Sequence, residues 1–312
     1  MTESLKVWAV HLAVLVGLGL LLALLPAYHA TNLARILVLA VFATGYNLAF
    51  GYTGLLSLGH ALFFAAGVYG AALPITYLDL PPLPALLAGC AAGAVMAGLV
   101  GLLALRTAGV SFMIVTLMFA QAGYLTLLYF GAITGGDEGL VMPEAARLFP
   151  ALSPDAARAV VALALFSLAL LASLAVVRSR LGRVMIAMRE NEERSRMLGH
   201  DPFAVKLTAL VLSGLFAGAA GAAYALLFGY AGASFATIQF SILPMLWVLM
   251  GGAGTTLGPL IGTAAMFYLV DGASRVTTAT LLVVGVALVG LVLFAPQGVL
   301  GTIRDRGARW IP

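Results

Sequence analysis

Long apolar runs constrain this chain more than any other feature of its sequence. A helix crosses the roughly 30 Å hydrocarbon core of a bilayer with about 20 consecutive apolar residues. Runs of this kind recur along the whole sequence. They cover residues 8–25, 33–50, 55–73, 83–105, 110–130, 160–177, 207–228, 241–250, 257–270 and 280–294. The eighth and ninth runs are short enough to form two spans or one broken pair, so we expect eight to ten spans.

The composition excludes the main alternatives to a membrane protein. Charged residues make up only 9% of the 312 residues, whereas hydrophobic residues make up 62%. Because a soluble domain has about 25% charged residues, a soluble globular protein, a disordered chain and a coiled coil are excluded. Continuous runs favour helices, since the strands of a membrane barrel alternate polar and apolar residues. The sequence therefore predicts an all-α fold, a single polytopic transmembrane bundle over residues 1–312 in the lipid bilayer.

The basic residues predict the orientation of this bundle. Seven of the 16 lysines and arginines lie between residues 178 and 206, and three more arginines lie in the tail. Because loops rich in basic residues remain on the cytoplasmic side, we expect loop 178–206 and both termini inside. The mostly acidic loop 131–155 is expected outside. Arg35 is an exception to the rule, because this topology places it on the external side.

The predicted spans contain few residues suited to catalysis or ion coupling. His11, His60 and Asp271 are the main ionisable candidates, whereas an ion-driven carrier normally needs a relay of such groups. Ser57 and His60 are three residues apart, so they could be a nucleophile and its base on one helix face. A hydrogen-bonding or pore-lining polar pair is the favoured interpretation. We therefore predict no catalytic residues and no metal site.

The sequence also offers no site for a nucleotide or a nucleic acid. Neither Lys6 nor Lys206 lies in the pattern Gly-x-x-x-x-Gly-Lys-[Ser/Thr] that cradles phosphates. If ATP drives transport, another polypeptide must bind it. No basic run is interleaved with aromatic residues, so nucleic acid is not an expected partner. Cys90 is the only cysteine, which excludes an intramolecular disulfide.

Two glycine clusters interrupt the apolar runs. One begins at Gly51 and the other at Gly251. Paired interruptions in the two halves of a transporter mark its translocation path, although both clusters could also be simple cytoplasmic turns. The candidate path residues are Tyr52, Thr53, Ser57, His60, Gly251, Gly254 and Thr255. Other glycines recur at a spacing of four, namely Gly89/Gly93, Gly214/Gly218 and Gly254/Gly258/Gly262, and predict close helix crossings.

The predicted cytoplasmic loop contains a charged segment with the features of a docking helix. Residues 184–198 suit a helix that ends at Gly199, because Glu190/Arg194 and Glu192/Arg196 are pairs at a spacing of four. Methionines beside the charges could offer an apolar patch to a groove on a cytosolic partner. A solvated loop that only fixes the topology is the alternative. The candidate coupling residues are Arg183, Met185, Met188, Arg189, Glu190, Glu193, Arg194 and Gly199.

The predicted external loop contains a second candidate site. Gly135 and Gly136 are adjacent and are followed by the acidic pair Asp137 and Glu138. Adjacent glycines suggest a fixed turn near the external mouth, where a binding protein docks or the substrate enters. A merely solvated turn is the alternative.

Several stretches resemble a known family when they are taken in order. They are residues 51–64, 134–140, 183–199, 249–255 and 296–301. Together they closely resemble the permeases of branched-chain amino-acid ABC importers, and most of all the LivM-type subunit. The first and third stretches are the most specific. The resemblance extends from about residue 35 to residue 301.

The resemblance implies a complex and a mechanism. The expected partners are a second, LivH-like permease, two cytoplasmic ATPases that bind ATP and Mg, and an extracytoplasmic solute-binding protein. Residues 183–199 would then contain the coupling helix that sits in a groove of an ATPase. The chain itself would need no cofactor and would lie in the bacterial inner membrane. The implied substrate is a branched-chain amino acid, and urea, amides and other small acids remain alternative substrates. A self-contained secondary carrier remains the alternative function.

Overall fold

Helices form almost all of the protein that the structure describes. The computed structural model describes residues 3–142, 153–295 and 297–306. The α-helices are α1 Glu3–Leu24, α2 Ala27–Asn47, α3 His60–Leu78, α4 Pro82–Ala104, α5 Val110–Tyr129, α6 Gly131–Thr134, α7 Pro154–Arg178, α8 Arg180–Glu190, α9 Glu192–Met197, α10 Pro202–Phe228, α11 Ile238–Gly251, α12 Gly258–Val276, α13 Thr280–Phe294 and α14 Gly298–Arg306. A π-helical turn, Leu48–Tyr52, extends α2, and a 3₁₀ turn, Ala233–Ala236, precedes α11.

Seven of the described helices are long and apolar enough to cross a membrane. These are α1 to α5, with α2 counted through its π-helical turn, together with α7 and α10. Helix α11 is apolar but shorter, and the runs predicted at 257–270 and 280–294 are helical as α12 and α13. The polytopic helical fold is therefore confirmed. A span count above seven stays a prediction.

Helix α2 lies at the centre of the bundle. Its residues from Ile36 to Asn47 are almost fully buried, and it packs against α7, α10, α11 and α12. Burial on all sides explains why this helix is apolar around most of its circumference, since it has no face toward water.

The predicted close helix crossings are present between α4 and α10. A Cβ atom added to Gly93 would lie 2.5 Å from both the carbonyl oxygen of Gly214 and the Cα of Gly218. A Cβ on Gly218 would lie 2.7 Å from the carbonyl oxygen of Gly89. Side chains at these positions would push the helices apart, so the glycines permit the contact.

A short antiparallel strand pair adds one element that the all-α expectation did not include. Strand β1, Leu140–Val141, pairs with β2, Tyr230–Ala231, in the register Leu140↔Ala231 and Val141↔Tyr230. The pair ties the end of the predicted external loop to the chain just after α10. We call this the β-pair end of the bundle. Residues 143–152, the remainder of the predicted loop before Ser153, lie outside the described residues.

Two of the predicted helices differ from the structure at the candidate site. Helix α3 begins at His60, not at residue 55, because residues 54–59 leave the helical conformation after the π-helical turn. The single helix predicted over 184–198 is divided at Asn191 into α8 and α9. Both breaks lie at the end of the bundle opposite the β pair, and both shape the candidate site.

Candidate functional site

The two glycine clusters, which are 200 residues apart in sequence, meet in space. Asn47 at the end of α2 holds them together, since its Nδ2 donates to the carbonyl of Thr255 at 2.9 Å. The amide of Gly254 donates to Asn47 Oδ1, also at 2.9 Å. Asn47 is 1% exposed. We call the assembly of residues 51–54, residues 251–255 and Asn47 the glycine junction.

The junction is too tight for larger residues at several positions. A Cβ on Gly51 would lie 2.6 Å from the amide nitrogen of Gly254, and one on Gly251 would overlap the carbonyl of Gly258. Gly254 has a φ of 76°, a left-handed conformation that residues with a Cβ rarely adopt. The glycines therefore serve close backbone approach between the clusters.

Local hydrogen bonds explain how the chain leaves α2 at this point. Residues Leu48–Tyr52 form the π-helical turn, and Thr53 Oγ1 donates to the carbonyl of Leu48 at 2.9 Å. The amide of Leu55 donates to the carbonyl of Ala49 at 2.8 Å. These bonds satisfy backbone groups that the broken helix would otherwise leave unpaired in an apolar environment. Single π-helical turns of this kind are common at functional sites.

Ser57 and His60 do not form a nucleophile and its base. Ser57 lies before α3, and its Oγ accepts from the amide of Gly59 at 3.1 Å. His60 is fully buried, and its Nε2 lies 2.7 Å from Ser213 Oγ on α10. The interpretation as hydrogen-bonding polar residues fits the geometry better than the catalytic one. It needs one correction, because Ser57 and His60 each bond a different partner and not one another.

His11 attaches α1 to the junction region. Its Nδ1 donates to the carbonyl of Val7 at 2.8 Å, which leaves Nε2 to accept from Thr256 Oγ1 at 2.7 Å. Asp271, by contrast, lies near the far end of α12 and pairs with Arg275 at 2.8 Å. The three ionisable candidates from the sequence are thus separate, and they do not form a relay.

The charged segment consists of two capped helices. Ser179 Oγ accepts from the amide of Gly182 at the start of α8, and Asn191 Oδ1 accepts from the amide of Arg194 at the start of α9. Because Asn191 interrupts the helix, Glu190 and Arg194 no longer share a face. Glu192 does not pair with Arg196 as predicted, since its carboxylate contacts Lys206 Nζ at 2.6 Å.

The predicted end of the charged segment at Gly199 is confirmed. Gly199 has a φ of 88°. Its amide donates to the carbonyl of Arg196, and the amide of His200 donates to the carbonyl of Ser195. This is the Schellman arrangement that closes a helix with glycine. We call residues 180–199 the coupling segment.

The predicted methionine patch is not available to a partner. Met185 is fully buried and Met188 is 4% exposed, because α8 packs against α7 and α10 with its apolar face. The exposed apolar side chains of the segment are Met197, 85% exposed, and Leu198, 72% exposed. The sequence pattern identified an apolar face correctly, but the protein uses that face internally.

Arg189 connects the coupling segment to both glycine clusters. Its guanidinium donates to the carbonyl of Gly51, and a Cβ on Gly254 would lie 3.0 Å from its NH1. Its stem passes Gly54, where an added Cβ would lie 3.2 Å from Arg189 Cγ. The sequence placed Arg189 among the docking residues and missed this inward contact. No local pattern could have indicated it, because the partner is 138 residues away.

Arg304 on α14 makes a second contact of the same kind. Its NH1 donates to the carbonyl of Gly254 at 3.3 Å, so each cluster receives one guanidinium. A cavity of about 420 Å³ lies between the two arginines and is lined also by Phe50, Leu249 and Gln297. In the sequence, Arg304 is only one of the basic tail residues that predict the topology. Tyr52, 3% exposed, has no hydrogen-bond partner for its hydroxyl among the described residues.

A wider groove runs beside the junction, between the coupling segment and the start of α5. Its volume is about 500 Å³, and its lining includes Thr53, Leu56, Phe112 and Glu190.

Within the described residues, no group of three or more His, Cys, Asp or Glu could hold a metal ion.

The candidate turn at the β-pair end has a fixed geometry. Gly135 and Gly136 have φ values of 77° and 55°. The amide of Gly136 donates to Thr134 Oγ1 at 3.3 Å, and the hydroxyl of Tyr69 donates to the carbonyl of Thr134, also at 3.3 Å. Asp137 and Glu138 are exposed at its tip. The predicted turn is therefore present, and its role stays a prediction.

Comparison with known proteins places the chain in a family. The family model described as branched-chain amino acid transport system, permease component, matches residues 28–295. The chain belongs to this permease family. No solved structure matches it.

Curated relatives support the assignment. The permease is 30% identical over 299 residues to the high-affinity branched-chain amino acid transport system permease protein LivM of Escherichia coli. It is 29% identical over 296 residues to the LivM protein of Salmonella typhimurium. Each match covers 86% of this chain and 69% of the relative. The permease is thus a multi-pass membrane protein and a non-catalytic transport component.

Proposed function

We propose that this permease is a subunit of an ATP-driven ABC importer that moves branched-chain amino acids across the bacterial inner membrane. Its partners are a second, LivH-like permease, two cytoplasmic ATPases that bind ATP and Mg, and an extracytoplasmic solute-binding protein. Family membership and the two LivM relatives support this proposal. The chain itself contributes the path and the coupling segment, and it binds no cofactor.

The contact of Arg189 with the glycine junction is the observation that carries the mechanism. The coupling segment consists of two capped helices, and Arg189 of the first helix reaches the carbonyl of Gly51. A displacement of α8 by an ATPase would therefore move the point where the two interrupted helices meet. Since ligand binding shifts populations between conformations, ATP bound at the partner would favour one state of the junction. The moving part of the path is then lined or bordered by Tyr52, Thr53 and Thr255.

The surface that docks the ATPase is the exposed side of the coupling segment. Glu190, Glu193 and Arg194 are exposed there, next to Met197 and Leu198. An apolar centre with a charged rim is the usual composition of a docking surface. This surface replaces the buried pair Met185 and Met188 as the apolar contact.

The fixed turn at the β-pair end is a second docking surface, on the external side of the membrane. Glycines at positions 135 and 136 hold the exposed Asp137 and Glu138 in one geometry. A rigid acidic tip suits contact with the solute-binding protein, because a preformed surface loses little entropy on binding.

Charge reversal of the docking surface tests the proposal. Glu190→Lys with Glu193→Lys adds positive charge, so it preserves the predicted inside placement. We expect the double variant to lose retention of the ATPase on pull-down, and to lose leucine uptake, because charge complementarity guides docking. The matched control is Asp137→Lys with Glu138→Lys, which reverses two charges at the opposite end and should retain the ATPase. Equal ATPase retention by both double variants and the wild type would reject this docking surface.

A further inference from the structure

Arg35 is a charged residue inside the most buried predicted span. Helix α2 begins at Ala27, so Arg35 lies eight residues into it, about 12 Å along its axis. In the most apolar part of this span, 83% of the residues are buried. The positive-inside rule places Arg35 on the external side, as an exception, and the helix position adds that the residue lies within a span. A charged residue inside a membrane span is costly and usually has a function.

The surroundings of Arg35 do not neutralise its charge. Its Cζ lies 4.8 Å from the ring centre of Phe228, and the Cζ of Arg158 lies 6.0 Å from the same ring. Arg158 has its own partners, since it donates to Asp155 at 3.0 Å and to the carbonyl of Leu227 at 2.9 Å. The Nε of Arg35 is buried and has no hydrogen-bond partner among the described residues. One guanidinium is thus compensated and its neighbour is not.

A row of aromatic side chains leads from Arg35 along the bundle. Phe228 lies 4.7 Å from Tyr224, Tyr224 lies 5.2 Å from Phe235, and Phe235 lies 5.3 Å from Phe240, measured between ring centres. These four side chains are only partly buried, so part of each ring is exposed at the surface of the chain. An uncompensated guanidinium at one end of an apolar aromatic surface has the form of a site for a small amphiphilic acid.

We propose that Arg35 binds the carboxylate of the transported solute, while the row from Phe228 to Phe240 receives its apolar side chain. A guanidinium presents paired N–H donors that match a carboxylate, and the aromatic rings offer apolar contact without competing for that charge. This site selects hydrophobic amino acids and related carboxylates against neutral amides and urea. The proposal rests on the proposed import function and assigns its substrate class.

Chemical protection tests the site without requiring transport. The assembled complex, in membrane vesicles without nucleotide, is treated with the arginine reagent phenylglyoxal, and modification of Arg35 is followed by peptide mass spectrometry. L-leucine should slow the modification of Arg35, whereas leucinamide and urea should not. Arg275 is the internal reference, since it is exposed and already paired with Asp271, and its modification rate should not change.

Uptake by variants gives the second measurement. Because a charge-assisted hydrogen bond contributes about 10- to 100-fold in affinity, Arg35→Met should reduce leucine uptake by at least about tenfold at equal expression. Arg35→Lys should retain more uptake than Arg35→Met, because it keeps the charge. Arg275→Met, which removes a paired arginine at the same end, should transport normally.

The outcomes separate this proposal from the proposed function. Equal protection by leucine and leucinamide, no protection by either, or an Arg35 that does not react would each overturn the carboxylate site. Normal leucine uptake by Arg35→Met would overturn it as well. Absence of ATP-driven leucine uptake by the wild-type complex would instead reject the importer function, and the protection result would still decide whether Arg35 binds carboxylates.

Discussion

Asn47 shows how one residue can define the centre of the permease. The side-chain amide of Asn47 donates to one residue of the second glycine cluster and accepts from another, and it is almost fully buried. A buried amide is tolerated only when its hydrogen bonds are made, so Asn47 fixes a single register between the clusters. The sequence predicted two interrupted helices. It did not predict Asn47 as their link, because nothing local marks a partner 207 residues away.

Replacement of Asn47 should therefore destabilise the junction. In Asn47→Ala, the amide of Gly254 and the carbonyl of Thr255 lose their partners, at about 1–3 kcal/mol for each unsatisfied group. We expect a lower unfolding midpoint of the purified complex and reduced uptake. Thr44→Val is the control, because among the described residues the hydroxyl of Thr44 bonds only the carbonyl of Ala40, within its own helix. A midpoint for Asn47→Ala equal to that of Thr44→Val would show that these bonds do not hold the junction.

At the scale of helices, the sequence predicted where helices form better than it predicted which of their faces are buried. It identified the apolar runs, the stop at Gly199 and the glycines that permit close helix crossings, although not which helices meet. It missed the break at Asn191, although an asparagine followed by two glutamates is a favourable helix start. It placed Met185 and Met188 on the surface, since amphipathicity defines an apolar face but not which neighbour covers it.

The α4–α10 crossing gives a test at this scale. Gly93→Ala places a methyl group 2.5 Å from backbone atoms of α10, whereas Gly98→Ala on the same helix meets only Val211 Cγ2 at 3.6 Å. We expect Gly93→Ala to lower the unfolding midpoint of the complex by several degrees, since overpacking costs about 1–3 kcal/mol. Gly98→Ala should leave the midpoint unchanged or raise it, because alanine is the better helix former. A reversed order would mean that α4 and α10 do not approach this closely.

At the scale of the whole molecule, the permease has two chemically different ends. The coupling segment and the glycine junction lie at one end, and the β pair with its acidic turn lies at the other. The excess of basic residues at the first end predicts that this end faces the cytoplasm. In the proposed mechanism, the solute enters near Arg35 and the ATPase acts on the opposite end, so α2 joins the two events.

Cysteine labelling measures this orientation. In a Cys90→Ser background, an impermeant thiol reagent added to intact spheroplasts should label Asp137→Cys, and it should label His200→Cys only after the membrane is opened. Both side chains are exposed, so access depends on the side of the membrane. Ser195 would be a poor choice, since it is 2% exposed. Labelling of His200→Cys in intact spheroplasts would reverse the orientation.

The coupling of ATP hydrolysis to uptake through Arg189 is the central claim, and one measurement tests it most directly. Hydrolysis and leucine uptake are followed together in proteoliposomes that contain the assembled importer. In Arg189→Met, the contact with Gly51 is lost while the docking surface is kept, so hydrolysis should continue and uptake per ATP should fall at least about tenfold. Arg180→Met, which removes an exposed arginine from the same helix, should keep both rates. Uptake per ATP in Arg189→Met equal to that in Arg180→Met would contradict the account.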